Sequence, residues 1–149
     1  MKKVPGHAGH CPSYRREYGT QRHDAVCIVI ESAAHAKRNL VPTLWTPYLL
    51  GGKATDLAFS FWNQMVEVDV TVVAPDAPSK AKSRASERLE DPTFAVALAA
   101  GAKIIKYNDL VEAEGAIFMP LAFQTSGGYT RQVDMLIKRL AQAGESNFL

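Results

Sequence analysis

The apolar positions divide the chain into segments of different period. Residues 1–22 (MKKVPGHAGHCPSYRREYGTQR) follow neither a helical nor a strand period and read as an ordered loop or a tail. From His23 the pattern changes: Val26, Ile30, Ala33 and Ala34 fall near one helical face, with Asp24 in the first turn, where the helix macrodipole favours an acid. This helix is expected to end before Pro42, since a proline and the residue before it leave helical geometry. Residues 41–53 carry Pro42, Pro47 and a Gly51-Gly52 turn, so any strand there is short or at an edge.

The clearest strands follow. Residues 54–62 (ATDLAFSFW) and 65–75 (MVEVDVTVVAP) are rich in β-branched and aromatic side chains, and Asn63-Gln64 between them is short enough for a hairpin. In the second strand Val66, Val68, Val70 and Val72 alternate with Glu67, Asp69 and Thr71, which sends the valines to one face. Residues 76–92 are charged, Ser-rich and bounded by prolines, and suit an exposed excursion. Residues 93–113 predict a helix, bent or interrupted at Gly101, that places Lys103, Lys106 and Tyr107 within about one turn. A short buried strand within 115–128 and a closing helix over 129–144, with Val133, Leu136, Ile137 and Leu140 at helical spacing, complete the order. Helix, hairpin, helix, strand, helix is an α/β order, with a mixed central sheet flanked by helices.

Composition narrows the class. The chain has 149 residues, 47% of them apolar, enough for one domain with a core of its own. Boundaries are expected near residues 23 and 143, with a basic tail over 1–22 and a C-terminal tail over 144–149. A net charge of +2, from 17 basic and 15 acidic residues, is too small to signal nucleic-acid binding on its own. Two cysteines, Cys11 and Cys27, make no disulfide framework and favour a reducing compartment, nuclear or cytoplasmic. No apolar run reaches the roughly 18 residues of a membrane span, so no membrane partner is expected. Gly51-Gly52 and Gly127-Gly128 are isolated pairs that read as turns, unlike a phosphate-cradling loop.

The residues that carry chemistry are acidic. If Asp56 begins the first strand of the hairpin, Asp69 comes beside it across the turn, and such a pair calls for a cation or a shared proton. Magnesium or manganese prefers oxygen ligands and keeps waters and phosphate oxygens, which suits two aspartates to phosphodiester hydrolysis. Lys103 or Lys106 would then steady the water or the charge growing on phosphorus. Glu31 is a further candidate metal ligand. Each residue also has a plain reading: the alternation alone puts Asp69 on a solvent face, and helix lysines and Glu31 commonly just face water.

The strings QRHDAV (21–26), KATDLAF (53–59), VDVTVVAP (68–75), AKIIKYNDL (102–110) and FMPLAF (118–123), taken in order, resemble the restriction-like endonuclease domain of non-LTR retrotransposons, a branch of the PD-(D/E)xK nuclease superfamily. The resemblance spans roughly residues 7–141. It implies a restriction-endonuclease-like core, Asp56, Asp69, Lys103 and Lys106 as catalytic residues, and Asp56 and Asp69 around magnesium or manganese. It further implies that Arg22, His23, Lys53 and Tyr107 contact DNA, and that a reverse transcriptase or RNA of the same element is a partner. Thr55 replaces the usual Pro or Ala, Thr71 stands at the superfamily's lysine, and Gln124 stands where relatives often carry Glu. GHAGHCP (6–12) is similar to half of a zinc knuckle, with His7, His10 and Cys11 as its ligands. A closed zinc site needs four protein ligands, so zinc is not expected there. With no polymerase region, the chain fits a piece of a longer element protein, a degenerate copy or a stand-alone descendant equally. The functional expectation is a metal-dependent DNA endonuclease; the alternatives are a non-catalytic nucleic-acid-binding or interaction module and, on the fold alone, another enzyme class.

Overall fold

A strand that buries both of its faces needs a helical layer on each side, and the hairpin at the centre of this fold is in that position. The computed structural model describes residues 12–37, 43–44, 53–61, 63–74 and 93–145. In chain order these form α1 (Pro12–His35), β1 (Thr43–Leu44), β2 (Leu57–Phe61), β3 (Gln64–Val73), α2 (Phe94–Ala113), β4 (Ile117–Gln124) and α3 (Arg131–Glu145). The sheet is mixed, in the order β1-β2-β3-β4. β1 and β3 pair antiparallel with β2, and β4 runs parallel to β3 after the crossover through α2. Pro120 lies in β4, an edge strand among the described residues, where the missing N–H of a proline is tolerated.

One face of the sheet carries Leu57, Phe59 and Phe61 from β2, Val66, Val68 and Val70 from β3, and Met119 and Leu121 from β4. Cys27 and Ala34 of α1 close this core from one side, with Val133, Leu136 and Ala143 of α3. The other face lies under α2: Tyr107 and Val111 pack on Phe118, and Val96 and Ala100 on Ala122. The alanine-rich start of α2 lets the helix sit close to the strands.

α1 corrects the expected boundary. It begins at Pro12, not His23, so the second half of the presumed tail is helical. Proline suits a first helical turn, where its lost donor costs nothing. α2 runs unbroken through Gly101, around which a Cβ would meet open space. It stops at Gly115, whose φ of 76° suits glycine. There the Gly115 and Ala116 amides donate to the Glu112 and Val111 carbonyls in a Schellman ending. Ile137 is exposed on α3 although it shares the helical spacing of Val133 and Leu136. The excursion expected over 76–92 lies outside the described residues.

Candidate functional site

Register decides which side chains meet. Leu57 pairs with Val68, so Asp56, one residue before β2, continues the ladder opposite Asp69. The Asp56 amide still donates to the Val68 carbonyl at 2.9 Å. Its carboxylate turns back on the neighbouring strand, and Oδ2 accepts the Val70 amide at 2.7 Å. Backbone and side chain together fix Asp56 at the start of the strand.

Asp69 lies under α2, beneath Lys103, and is only 3% exposed. The plain reading of Asp69 as a solvent-facing strand residue therefore does not hold. A buried carboxylate needs a cation or a proton. Lys103, one α2 residue above it, brings Nζ to 2.6 Å from Asp69 Oδ2. That oxygen makes no well-aligned hydrogen bond, nor do the buried Thr71 Oγ1 and Gln124 Oε1, among the described residues. Burial raises the Asp69 pKa above its ordinary value, against the pull of Lys103, and the Asp56 charge adds to the rise. The charges of Asp69 and Asp56 in turn help to raise the Lys106 pKa, after its main cause, the hydrogen bond to Tyr107. Asp56, Asp69, Lys103 and Lys106 thus share one electrostatic neighbourhood.

Lys106 itself is exposed, donates to the Tyr107 hydroxyl at 2.7 Å and lies 4.4 Å from that ring's centre. Tyr107 is buried against Phe118, ring centres 5.6 Å apart, so it anchors α2. Lys53 donates to the Lys106 carbonyl at 3.4 Å, which sets a second exposed lysine at the same rim. Glu31 pairs instead with His35 at 3.6 Å. It lies two turns from His23 along α1, about 12 Å at the helical rise. Arg22 is exposed on α1. His7, His10 and Cys11 lie outside the described residues.

His23 reaches Asp56 from the opposite layer. Its Nε2 is 3.0 Å from Asp56 Oδ2, and its Nδ1 is 2.9 Å from Asp24 Oδ1. Held by Asp56 first, then by Cys27 and Asp24, the imidazole pKa is pushed up to about 11 despite partial burial. As an imidazolium it donates to both carboxylates. Cys27 Sγ lies 4.0 Å from the same Nε2.

No protein-family model, curated protein or solved structure matches this chain. Asp56 and Asp69 put two carboxylates in one neighbourhood, and carboxylate oxygens are the donor type that magnesium and manganese take, although Asp69 Oδ2 already holds the Lys103 ammonium at 2.6 Å.

Sequence reasoning passed over three features. Cys27 stands four residues after His23, a spacing that puts both on one helix face. Glu67 and Thr55 are both buried, and the Thr55 hydroxyl donates to Glu67 Oε2 at 2.7 Å. Asp24, read only as a first-turn acid, orients His23. The small residues of α2 were the available signal for Glu67, because a helix that sits close to a sheet buries the strand positions beneath it.

Proposed function

We propose that this chain is a metal-dependent endonuclease domain that nicks DNA by phosphodiester hydrolysis, on a restriction-endonuclease-like core. The observation that carries the reading is Asp69: a carboxylate buried to 3% exposure, with a lysine at 2.6 Å and the charge of Asp56 beside it. Burying such a charge costs a strand stability, and carboxylates perturbed in this way cluster at functional sites. Asp56 and Asp69 would hold magnesium or manganese, which when bound supplies Lewis acidity and an acidified water. Lys103 keeps positive charge next to Asp69, where negative charge would grow on the phosphate. Lys53 and Lys106, at the rim, offer phosphate contacts. His23 and the backbone amide of Val70 fix the direction of the Asp56 carboxylate. The ordered resemblance to retrotransposon endonuclease domains supports DNA as the substrate and a polymerase of the same element as partner. Among the described residues no helix is long and apolar enough to cross a membrane.

The test is magnesium-dependent relaxation of supercoiled plasmid. Wild-type protein is expected to nick, and Asp56→Ala with Asp69→Ala to lose nicking while keeping its circular dichroism. Equal nicking by both proteins would refute the proposal. One observation favours a second reading, a non-catalytic nucleic-acid-binding module: both aspartates already face a cation, His23 or Lys103. Retardation of DNA by the wild-type protein, without nicking at any magnesium or manganese concentration, would establish that reading instead.

A further inference from the structure

The His23 corner holds more than a brace for Asp56. His23 and Cys27 stand one turn apart on α1, and Asp56 reaches them from the start of β2. One ligand atom from each, an imidazole nitrogen, a thiol sulfur and a carboxylate oxygen, lie within 4.8 Å of one another. We propose that His23, Cys27 and Asp56 form a binding site for a borderline-soft divalent cation of the zinc type, separate in its donor chemistry from the all-oxygen edge at Asp69.

Distances support the assignment. Zinc bonds of about 2.0–2.3 Å at tetrahedral angles set nitrogen, oxygen and sulfur ligands roughly 3.4–3.6 Å apart. The Nε2 to Oδ2 separation of 3.0 Å and the Nε2 to Sγ separation of 4.0 Å bracket that range, and the thiol and carboxylate lie within 4.8 Å, so shifts of up to about 1.3 Å complete the set. A second, independent feature is the partner of the other ring nitrogen. Asp24 Oδ1 sits 2.9 Å from Nδ1, the carboxylate that in metal sites fixes the ring's orientation and turns the Nε2 lone pair toward the ion. Cys27 is fully buried while His23 and Asp56 are partly exposed, which leaves a fourth position for water on the open side. On binding, the Nε2 proton and the thiol proton leave to solvent, and the thiolate and imidazole become ligands. The thiol is what selects zinc over magnesium, which has little affinity for sulfur.

This inference does not rest on the nuclease reading, although Asp56 belongs to both donor sets. It is tested with cobalt(II), which reports sulfur ligation through a near-ultraviolet charge-transfer band. The full chain carrying Cys11→Ser, with Cys27 its only thiol, is titrated with cobalt and then with zinc. The expected result is a thiolate-to-cobalt band that zinc abolishes, that Cys27→Ala removes, and that Asp69→Asn leaves intact. Asp24→Asn is expected to keep the band but weaken cobalt binding about 10–100-fold. Absence of the band in the folded Cys11→Ser protein, or its persistence after Cys27→Ala, would overturn the site whether or not the protein cuts DNA.

Discussion

The two faces of β3 are built from alternate residues of one strand and behave in opposite ways. Val66, Val68 and Val70 join a core shared with α1 and α3, where each of the three side chains is buried in an apolar cluster. Glu67, Asp69 and Thr71 are turned under α2, where the strand buries charge and, among the described residues, leaves Thr71 Oγ1 without a hydrogen bond. The first face accounts for why the sheet holds together. The second costs stability, and natural proteins tolerate that cost mainly where a site needs it. The comparison separates the part of the molecule that folds it from the part that the proposed function would use.

The largest expected effect breaks the apolar face. Phe59 is fully buried in that core, and Phe59→Ala is expected to lower unfolding stability by about 3–5 kcal/mol, read from urea melts. Magnesium binding should be lost only as the protein unfolds. On the polar face, Lys103→Ala removes the cation next to Asp69 and is expected to cost about 1–3 kcal/mol, the penalty of a buried group left unpartnered. Asp69→Asn should be better tolerated, and the Lys103→Ala change should cost little in its presence. The sign follows from linkage: a carboxyl whose folded pKa is raised costs stability while ionised, and the cost vanishes as pH falls to its ordinary 3.8. The wild type should therefore gain stability from this group on acidification, and Asp69→Asn should remove that gain.

His23 sharpens the comparison at the other end of the pH scale. Its pKa rises from 6.5 to about 11 in the fold, so its contribution is complete below pH 6.5 and is lost as pH climbs toward 11. Stability measured between those limits should fall with a slope of at most about 1.4 kcal/mol per pH unit, one proton's worth, and His23→Gln should flatten it. The smallest effect lies on α2, away from both faces. Gly101→Ala meets open space in a continuous helix and is expected to add about 0.5–1 kcal/mol, seen as a higher urea midpoint, with no change in metal binding.

Much of this contrast was legible in the chain. The hairpin, the Asp56 and Asp69 pairing across it, and a helix bearing Lys103 all follow from period and turn chemistry, which are local properties. What was hidden depended on tertiary layers. The alternation in β3 reads as one wet face, because nothing in residues 64–73 says that α2 will cover Glu67 and Asp69. The His23 to Asp56 contact joins residues 33 apart on different elements, so no local pattern announces it. The early start of α1 was hidden because residues 12–22 lack an apolar stripe, and the helix they begin has none of the usual acidic residues in its first turn. The Cys27 position was visible in the sequence, four residues after His23, but gained meaning only when Asp56 arrived beside it.

The central claim is that the carboxylate buried under α2 belongs to a metal site. Isothermal titration of the Cys11→Ser protein with manganese, beside the same protein carrying Asp69→Asn, tests it most directly. The expected result is saturable binding that Asp69→Asn abolishes with the fold intact; identical binding by both proteins would contradict it.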